Sequence, residues 1–464
     1  MHSLSLKHIA LFKGKNEVDM TQGKIVKLLF NFAFPLLLGN IFQQLYNTVD
    51  TWVVGNYVGK NAFSAVGTLN PIINTLLGFF IGFSNGAAVV ISRYFGADNK
   101  DKVERTVHTF VTVTLIMCIV FTLLGILFTP FMLDLIKSPQ SVRLEQEVYL
   151  TIYFAGVTGM LIYNMGSAIL RAVGNSFYPF LFLVVSAIMN IVLDLVFVIV
   201  FHLGTSGVAY ATIISQFISA ILVVFILLTT KSSVKVKLSK LAIDKMILKD
   251  IFRIGLPAAI QMSITAFSNI FVQSYINYFG ADCMGGWTAY SKIDQLLFLP
   301  MQSLALATQT FVAQNLGKSL TERTRRGVRM ALIMSVVSTA ICIVPVVVFA
   351  PDLVSFFIDS NELGVIEYGT LFLSMISPFY ILCCVNQIYG GALRGAGHAE
   401  VSMIVMLSSF VFFRQIYLFV VANYISNTIV PISLGYPAGW LLCSFLMSIF
   451  YKMNFKDSKL LKAS

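Results

Sequence analysis

Five charged side chains stand inside long apolar stretches of this chain: Asp50, Asp194, Lys292, Asp294 and Arg414. A centrally placed Asp, Lys or Arg costs about 2.5 to 3.5 kcal/mol on membrane-insertion scales, so it persists where it faces a cavity, a partner or a transported ion. Gln43, Tyr46, Asn47 and Asp50 recur at helical spacings that keep their polar groups on one face. Asn190 and Asp194 do the same four residues apart, and Thr212 lies at a matching depth in the next apolar stretch. Two carboxylates, an amide and a hydroxyl could form an oxygen cage for a small cation, or a site where a proton is shared. In the second half, Lys292, Asp294 and Arg414 could form an internally neutralised cluster. Residues two apart on a helix do not face each other, so Asp294 with Arg414 is the expected ion pair, and such a pair can either lock helices together or stand on a transport path. Gln261, Thr265, Asn269 and Gln273 make an uncharged counterpart of the first stripe, able to bind but not to titrate.

Enzymatic chemistry has little to stand on. The five histidines, His2, His8, His108, His202 and His398, show no metal-ligand spacing, and no Cys pair has zinc-site spacing. Neither a GxSxG nucleophile turn nor a phosphate-cradling GxxxxGK[ST] loop occurs. No enzyme activity and no resident cofactor are therefore expected. The six cysteines read as small packing residues without a disulfide framework, and 18 Met with 40 Phe suit a wall that accepts varied apolar cations.

The elements that must position these residues are membrane helices. With 464 residues, 57% hydrophobic, 11% charged and a mean hydropathy of +0.82, the chain has too few charges to cover a soluble surface. Apolar runs of the length that crosses about 30 Å of hydrocarbon fall near 28–56, 62–91, 106–130, 149–169, 179–201, 207–230, 254–279, 285–313, 328–350, 368–392, 401–424 and 429–451. Strand-like alternation of polar and apolar residues is absent, which leaves helices. The expected fold is an all-α polytopic membrane protein with twelve transmembrane helices.

The chain is also written twice. Phe34-Pro35 returns as Leu256-Pro257, Asn56-Tyr57-Val58-Gly59 as Asn277-Tyr278-Phe279-Gly280, Gly96 as Gly317, and Leu170-Arg171-Ala172-Val173-Gly174 as Leu393-Arg394-Gly395-Ala396-Gly397. Six spans separate each word from its copy, and an even number returns the chain to the same side. Two six-helix bundles related by a pseudo-two-fold axis along the membrane normal follow. The expected division is an N-terminal segment 1–27, an N-lobe 28–230, a linker 231–253, a C-lobe 254–451 and a tail 452–464. Each LRxxG word should end a helix, with Arg171 or Arg394 at the negative end of the dipole and the glycine in a left-handed turn.

A net charge of +11 could suggest nucleic acid, but the basic residues are concentrated on one side. Of 32 Lys and Arg, Lys292 and Arg414 lie in spans, Lys60, Lys137 and Arg143 fall on the outer side, and all others fall inside when the N-terminus is placed inside. The outer loop 351–367 has Asp352, Asp359, Glu362 and Glu367 and no Lys or Arg. This asymmetry predicts cytoplasmic termini and no nucleic-acid partner. The first 27 residues are polar and basic, so no signal peptide is expected. The basic linker should rest on anionic lipid heads.

With the duplicated unit, the prolines of the first and seventh helices, YNTVDTWVVG at 46–55, RYFGADN at 93–99 and both LRxxG words, the chain resembles multidrug and toxic compound extrusion (MATE) transporters over almost its whole length, most of all the DinF-like prokaryotic branch. That resemblance implies outward export of organic, mostly cationic amphipathic compounds against inward H+ or Na+ by alternating access, in the cell (inner) membrane. It implies a coupling-ion site at Asp50, Asn190, Asp194 and Thr212, with Tyr46 in the cavity, and Gln43, Asn47, Gln261, Thr265 and Asn269 as further cavity residues. A C-lobe acidic site known in other branches has no clear counterpart, Gln261 standing where an acid would be sought. A monomer is expected. The rival reading is a lipid or lipid-linked saccharide flippase of the same superfamily fold, which would prefer a cationic cavity.

Overall fold

The computed structural model describes residues 17–58, 60–135, 138–357 and 362–456. Lys7, Lys13, Lys15, Lys137, Asp359, Lys459 and Lys462, with the outer parts of both terminal segments, lie outside them. Among the described residues, twelve helical stretches of 24 to 37 residues are long and apolar enough to cross a membrane. A helix satisfies every backbone amide within its own segment, which is what lipid demands. In chain order the helices are α1 (Ile25–Val53), α2 (Lys60–Gly96), α3 (Lys100–Leu135), α4 (Gln140–Ala172), α5 (Phe177–Leu195), α6 (Gly204–Thr229), α7 (Lys245–Asn277), α8 (Ala281–Gly317), α9 (Thr321–Val348), α10 (Ala350–Ser355), α11 (Leu363–Ile376), α12 (Tyr380–Gly395), α13 (Ala399–Leu407), α14 (Arg414–Val420), α15 (Ile429–Ser433) and α16 (Gly435–Lys456). The tenth span joins α11 to α12 through a 3-10 turn at Ser377–Phe379, and short α10 opens the expected outer loop.

Several helices outrun the apolar windows that predicted them. α3 begins at Lys100 rather than near 106, because Asn99 accepts the Lys102 N–H at 3.0 Å and caps a polar first turn. Hydropathy registers only the part of a helix suited to lipid, whereas its hydrogen bonding continues into water. Among the described residues, one π-helical turn interrupts a span, at Ser408–Phe413, and three end spans, at Val54–Val58, Val196–Val200 and Val421–Ile425. Such turns are rare and gather at functional sites. One lies four residues after Asp50, one two residues after Asp194, and one ends next to Arg414.

The chain forms two compact units. The first comprises the segment up to Gly23, Phe34–Gly67 and Tyr94–Leu248, and the second comprises Lys24–Ala33, Thr68–Arg93 and Lys249–Ser464. In the first, Ser186 Oγ donates to Ser215 C=O at 2.8 Å, tying α5 to α6. The linker is fastened to α3 in the same unit. Lys237 and Lys240 place their ammonium groups 3.2 and 2.7 Å from Glu104, and His108 Nε2 accepts the Lys237 N–H at 3.0 Å. Thr109 Oγ1 accepts the Asp244 N–H at 3.1 Å.

In the second unit α8 is buried along most of its length. α2 meets α7 backbone to backbone: a Cβ built on Gly82 would lie 2.4 Å from Ala259 N, and one on Gly86 2.3 Å from Gly255 Cα. Small residues at such crossings let helices pack closely where lipid offers no hydrophobic drive.

Both LRxxG words end their helices as the repeat predicts. Gly174 (φ +82°) and Gly397 (φ +91°) adopt left-handed turns, with Gly174 N–H on Arg171 C=O at 2.9 Å and Gly397 N–H on Arg394 C=O at 3.0 Å. The cation does something else in the second copy. Arg394 reaches Gln309 Oε1 and Ser402 Oγ, each at 3.2 Å, and so ties α12 to α8 and α13. Equivalent substitutions should therefore differ in cost. Gly397→Ala meets only strain of about 1 kcal/mol, since its nearest neighbour is Arg93 Nη1 at 3.9 Å. Gly174→Ala adds a clash, its Cβ falling 2.2 Å from Val18 C=O oxygen. Thermal unfolding of the two purified variants should rank Gly174→Ala well below Gly397→Ala, and equal losses would contradict the geometry.

Candidate functional site

In the first unit the structure brings Asp50 of α1 and Asp194 of α5 together, their carboxyl groups within hydrogen-bonding reach of each other. Asp194 is 0% exposed and Asn190, one turn earlier, 1%. Both Asp194 oxygens, both polar atoms of the Asn190 amide and Asp50 Oδ1 are sealed without a donor or acceptor. Facing carboxylates with no proton donor between them repel, and sealed polar atoms left without partners cost stability. A proton or small cation between them removes both penalties, and these sealed, unpartnered oxygens are the ones such an ion would take. Thr212 is buried on α6, where its hydroxyl donates to Val208 C=O at 2.9 Å and retains acceptor capacity.

One turn beyond the acids lies an apolar plug. Val53, Val54, Val198 and Val208 pack together there with Val49, Val58 and Leu195. Such a plug keeps water from the carboxyl groups on that side and strengthens every charge interaction among them. Tyr46 engages Gln43 and lies in the electrostatic range of Asp50. Gln43 and Asn47 are exposed. The sequence reading missed Tyr149 and Tyr153 of α4, which are buried with rings stacked at 6.5 Å and 11°. Tyr149 lies within electrostatic range of Asp50, Asp194 and Tyr46. Two tyrosines four residues apart were the available signal, but in an apolar span they read as packing.

In the second unit the expected Asp294–Arg414 ion pair is not made. Asp294 Oδ1 instead accepts from Tyr290 at 3.2 Å and from Tyr380, and these two hydroxyls lie 3.2 Å apart. Arg414 donates through Nη2 to Ser268 Oγ at 3.1 Å and to Asn269 Oδ1 at 2.8 Å. The phenols satisfy the carboxyl from α8 and α12, while the guanidinium is drawn to α7. Lys292 is exposed, and no carboxylate lies within ion-pair distance of it among the described residues, so the three charges do not form one neutralised cluster. Gln261 Oε1 and Thr265 Oγ1 are buried without partners.

The family model described as MatE matches residues 35–196 and again 257–420. The chain belongs to the MatE family. The two matches begin 222 residues apart (257 against 35), the spacing of the repeated words, so the duplication and the family pattern are the same feature. The "Probable multidrug resistance protein YpnP" of Bacillus subtilis is 28% identical over 438 residues, covering 94% of this chain and 96% of that protein. The "Probable multidrug resistance protein YoeA" of the same organism is 27% identical over 436 residues, 92% and 94% of the two chains. A solved MOP superfamily transporter from Pyrococcus furiosus, described as having a binding pocket of reverse polarity, superposes with a TM-score of 0.91 at 21% identity, over 96% of this chain and 99% of its own. The MatE match includes Asp50, Asn190 and Asp194 in its first segment, and Gln261, Thr265, Asn269, Lys292, Asp294 and Arg414 in its second; Thr212 lies just beyond the first. This MatE chain is a multi-pass membrane transporter protein by family and by its twelve apolar spans.

Proposed function

We propose that this protein is a secondary active antiporter that exports organic, mostly cationic amphipathic compounds in exchange for H+ or Na+. The paired carboxyl groups of Asp50 and Asp194, with the unpartnered Asn190 amide beside them, carry this reading. A site of this kind must take up positive charge to be stable, and releasing that charge on the other side is what coupling requires. Asp50, Asn190, Asp194 and Thr212 hold the coupling cation, and its arrival discharges the substrate through shared charge or through a shift of α1 at Pro35. The multidrug resistance relatives support the efflux half of the reading. The concentration of basic residues on one side supports cytoplasmic termini in the cell membrane. The protein works as a monomer, each chain having both units.

Purified protein in liposomes with an imposed pH or Na+ gradient tests the proposal. Ethidium should move against its gradient with one of the two ions and stop when that gradient is collapsed. A membrane potential adds about 2.3 kcal/mol per charge per 100 mV, so the two driving forces should be set separately. Ethidium flux indifferent to both gradients would reject coupling, and lipid scrambling in the same vesicles would favour the flippase alternative.

A further inference from the structure

Where α8 gives way to α9, the second unit has a cleft of about 460 Å³. Arg323 and Arg326 of α9 line it, three residues apart and so on one side of the helix, with Ser319, Thr321 and Ile25 of α1. The acid in its lining, Glu322, is engaged by a third arginine: Arg325 Nη1 lies 3.3 Å from its carboxylate, and Arg325 Nε donates to Phe455 C=O at 2.8 Å. Arg323 holds its guanidinium carbon 5.7 Å from the ring centroid of buried Phe311. Arg326 is exposed, and no carboxylate lies within ion-pair distance of it among the described residues.

The repeat supplies a comparison inside the chain. The offset that takes Gly96 to Gly317 also takes Asp101 to Glu322, Glu104 to Arg325 and Arg105 to Arg326. In the first copy the chain neutralises this place itself. Arg105 lies 3.1 Å from Asp101 and 4.0 Å from Asp244, and Glu104 takes Lys237 and Lys240 of the linker. In the second copy an arginine stands where Glu104 would, it draws off the one acid, and positive charge is left over at Arg323 and Arg326.

The surroundings say what meets that charge. The cleft lies at the ends of two membrane spans, where lipid headgroups are. The side of α9 that carries Arg326 continues, at helical spacing, with Ile333, Val337 and Ile341, which are 48, 52 and 68% exposed. Arg326 and Ile333 are separated by about 10 Å of helix axis, enough to cross the headgroup layer and reach hydrocarbon. Arginines suit phosphate oxygens, offering paired N–H donors as well as charge.

We propose that this cleft binds one anionic phospholipid. Its phosphate rests on Arg323 and Arg326, its headgroup hydroxyls meet Ser319 and Thr321, and an acyl chain follows Ile333, Val337 and Ile341. A soluble phosphate ester would use the arginines but leave the apolar face of α9 without a partner. The site is separate from the linker and does not depend on what the protein transports.

Native mass spectrometry of the purified full-length protein, titrated in detergent with phosphatidylglycerol, phosphatidylcholine or glycerol phosphate, tests the proposal. Wild type should bind the first phosphatidylglycerol about tenfold more tightly than phosphatidylcholine, the difference one charge-assisted contact makes, and glycerol phosphate more weakly still. Combining Arg323→Gln with Arg326→Gln should bring phosphatidylglycerol down to the level of phosphatidylcholine, and Arg326→Gln alone should remove part of the preference. Arg105→Gln, the same change in the other copy, should leave it intact. The site is overturned if wild type shows no preference, if the double variant keeps it, or if Arg105→Gln loses as much. Glycerol phosphate bound as tightly as phosphatidylglycerol would overturn the lipid in favour of a soluble phosphate ester. If the double variant does not fold, Arg326→Gln decides, since its side chain is exposed, and an unchanged preference there overturns the site.

Discussion

Asp194→Asn should stop gradient-driven efflux while the protein remains folded and becomes no less stable. The two side chains have nearly the same shape, so the α5–α6 packing around Ser186 and Ser215 is undisturbed. What changes is charge. The native carboxyl has two sealed oxygens without partners and faces a second carboxyl, an arrangement held at a cost in free energy until a cation arrives. The amide supplies donors, one of which can meet Asp50, and the site is then satisfied with no ion in it. Efflux should fall by at least about tenfold, the scale of losing one charged interaction, and the unfolding temperature should hold or rise. Asp50→Asn should behave alike, and the double variant should lose little more, because both acids serve one ion. Ethidium efflux from cells, with thermal unfolding of the purified variants, reads both halves. Wild-type efflux in either single variant would remove the ion site from the proposal.

Gly86→Val should prevent the second unit from forming. The new Cβ would lie 2.3 Å from Gly255 Cα and equally close to its nitrogen, so backbone must move rather than a flexible side chain. Overpacking of this kind costs about 1–3 kcal/mol where side chains yield, and more where they cannot. Gly82→Val meets the Ala259 backbone in the same way. Gly78 gives the control on the same face, since its Cβ would meet Met262 Cβ at an ordinary 3.4 Å. Gly78→Ala should accumulate as folded protein and Gly86→Val should not, as judged by monodisperse yield in detergent. Normal yield of Gly86→Val would mean that the α2–α7 crossing is looser than its geometry.

The twelve spans were legible because lipid imposes one length and one polarity on every crossing. The repeat was legible because two bundles reuse the same turn chemistry, down to the left-handed glycines at 174 and 397. Asp50 and Asp194 could be paired from sequence, since the price of an intramembrane acid singles out the few that occur. Asp294 and Arg414 were mispaired because spacing along a helix states which face a residue occupies but not which neighbouring helix offers a better partner. Tyr290, four residues from Asp294, was the readable clue; Tyr380 was not, being distant in the chain. The α2–α7 crossing did leave a signal, glycines at 78, 82 and 86 on one helical face, the small-residue spacing of close helix pairs. The π-helical turns left none, because one extra residue per turn depends on packing rather than composition.

The division of the chain into units changes how a movement between them would have to be engineered. Four of the five places where the chain passes from one unit to the other fall inside continuous helices: between 33 and 34 in α1, at 67/68 and 93/94 in α2, and between 248 and 249 in α7. The linker is fastened to α3 as far as Asp244, and α7 begins at the next residue. The units are thus joined by rods and not by strings. A rod transmits torque, so displacement at one end must be absorbed by bending at weak points in its length, and Pro35, two residues past the first crossing, and Gly67, at the second, are residues at which helices bend.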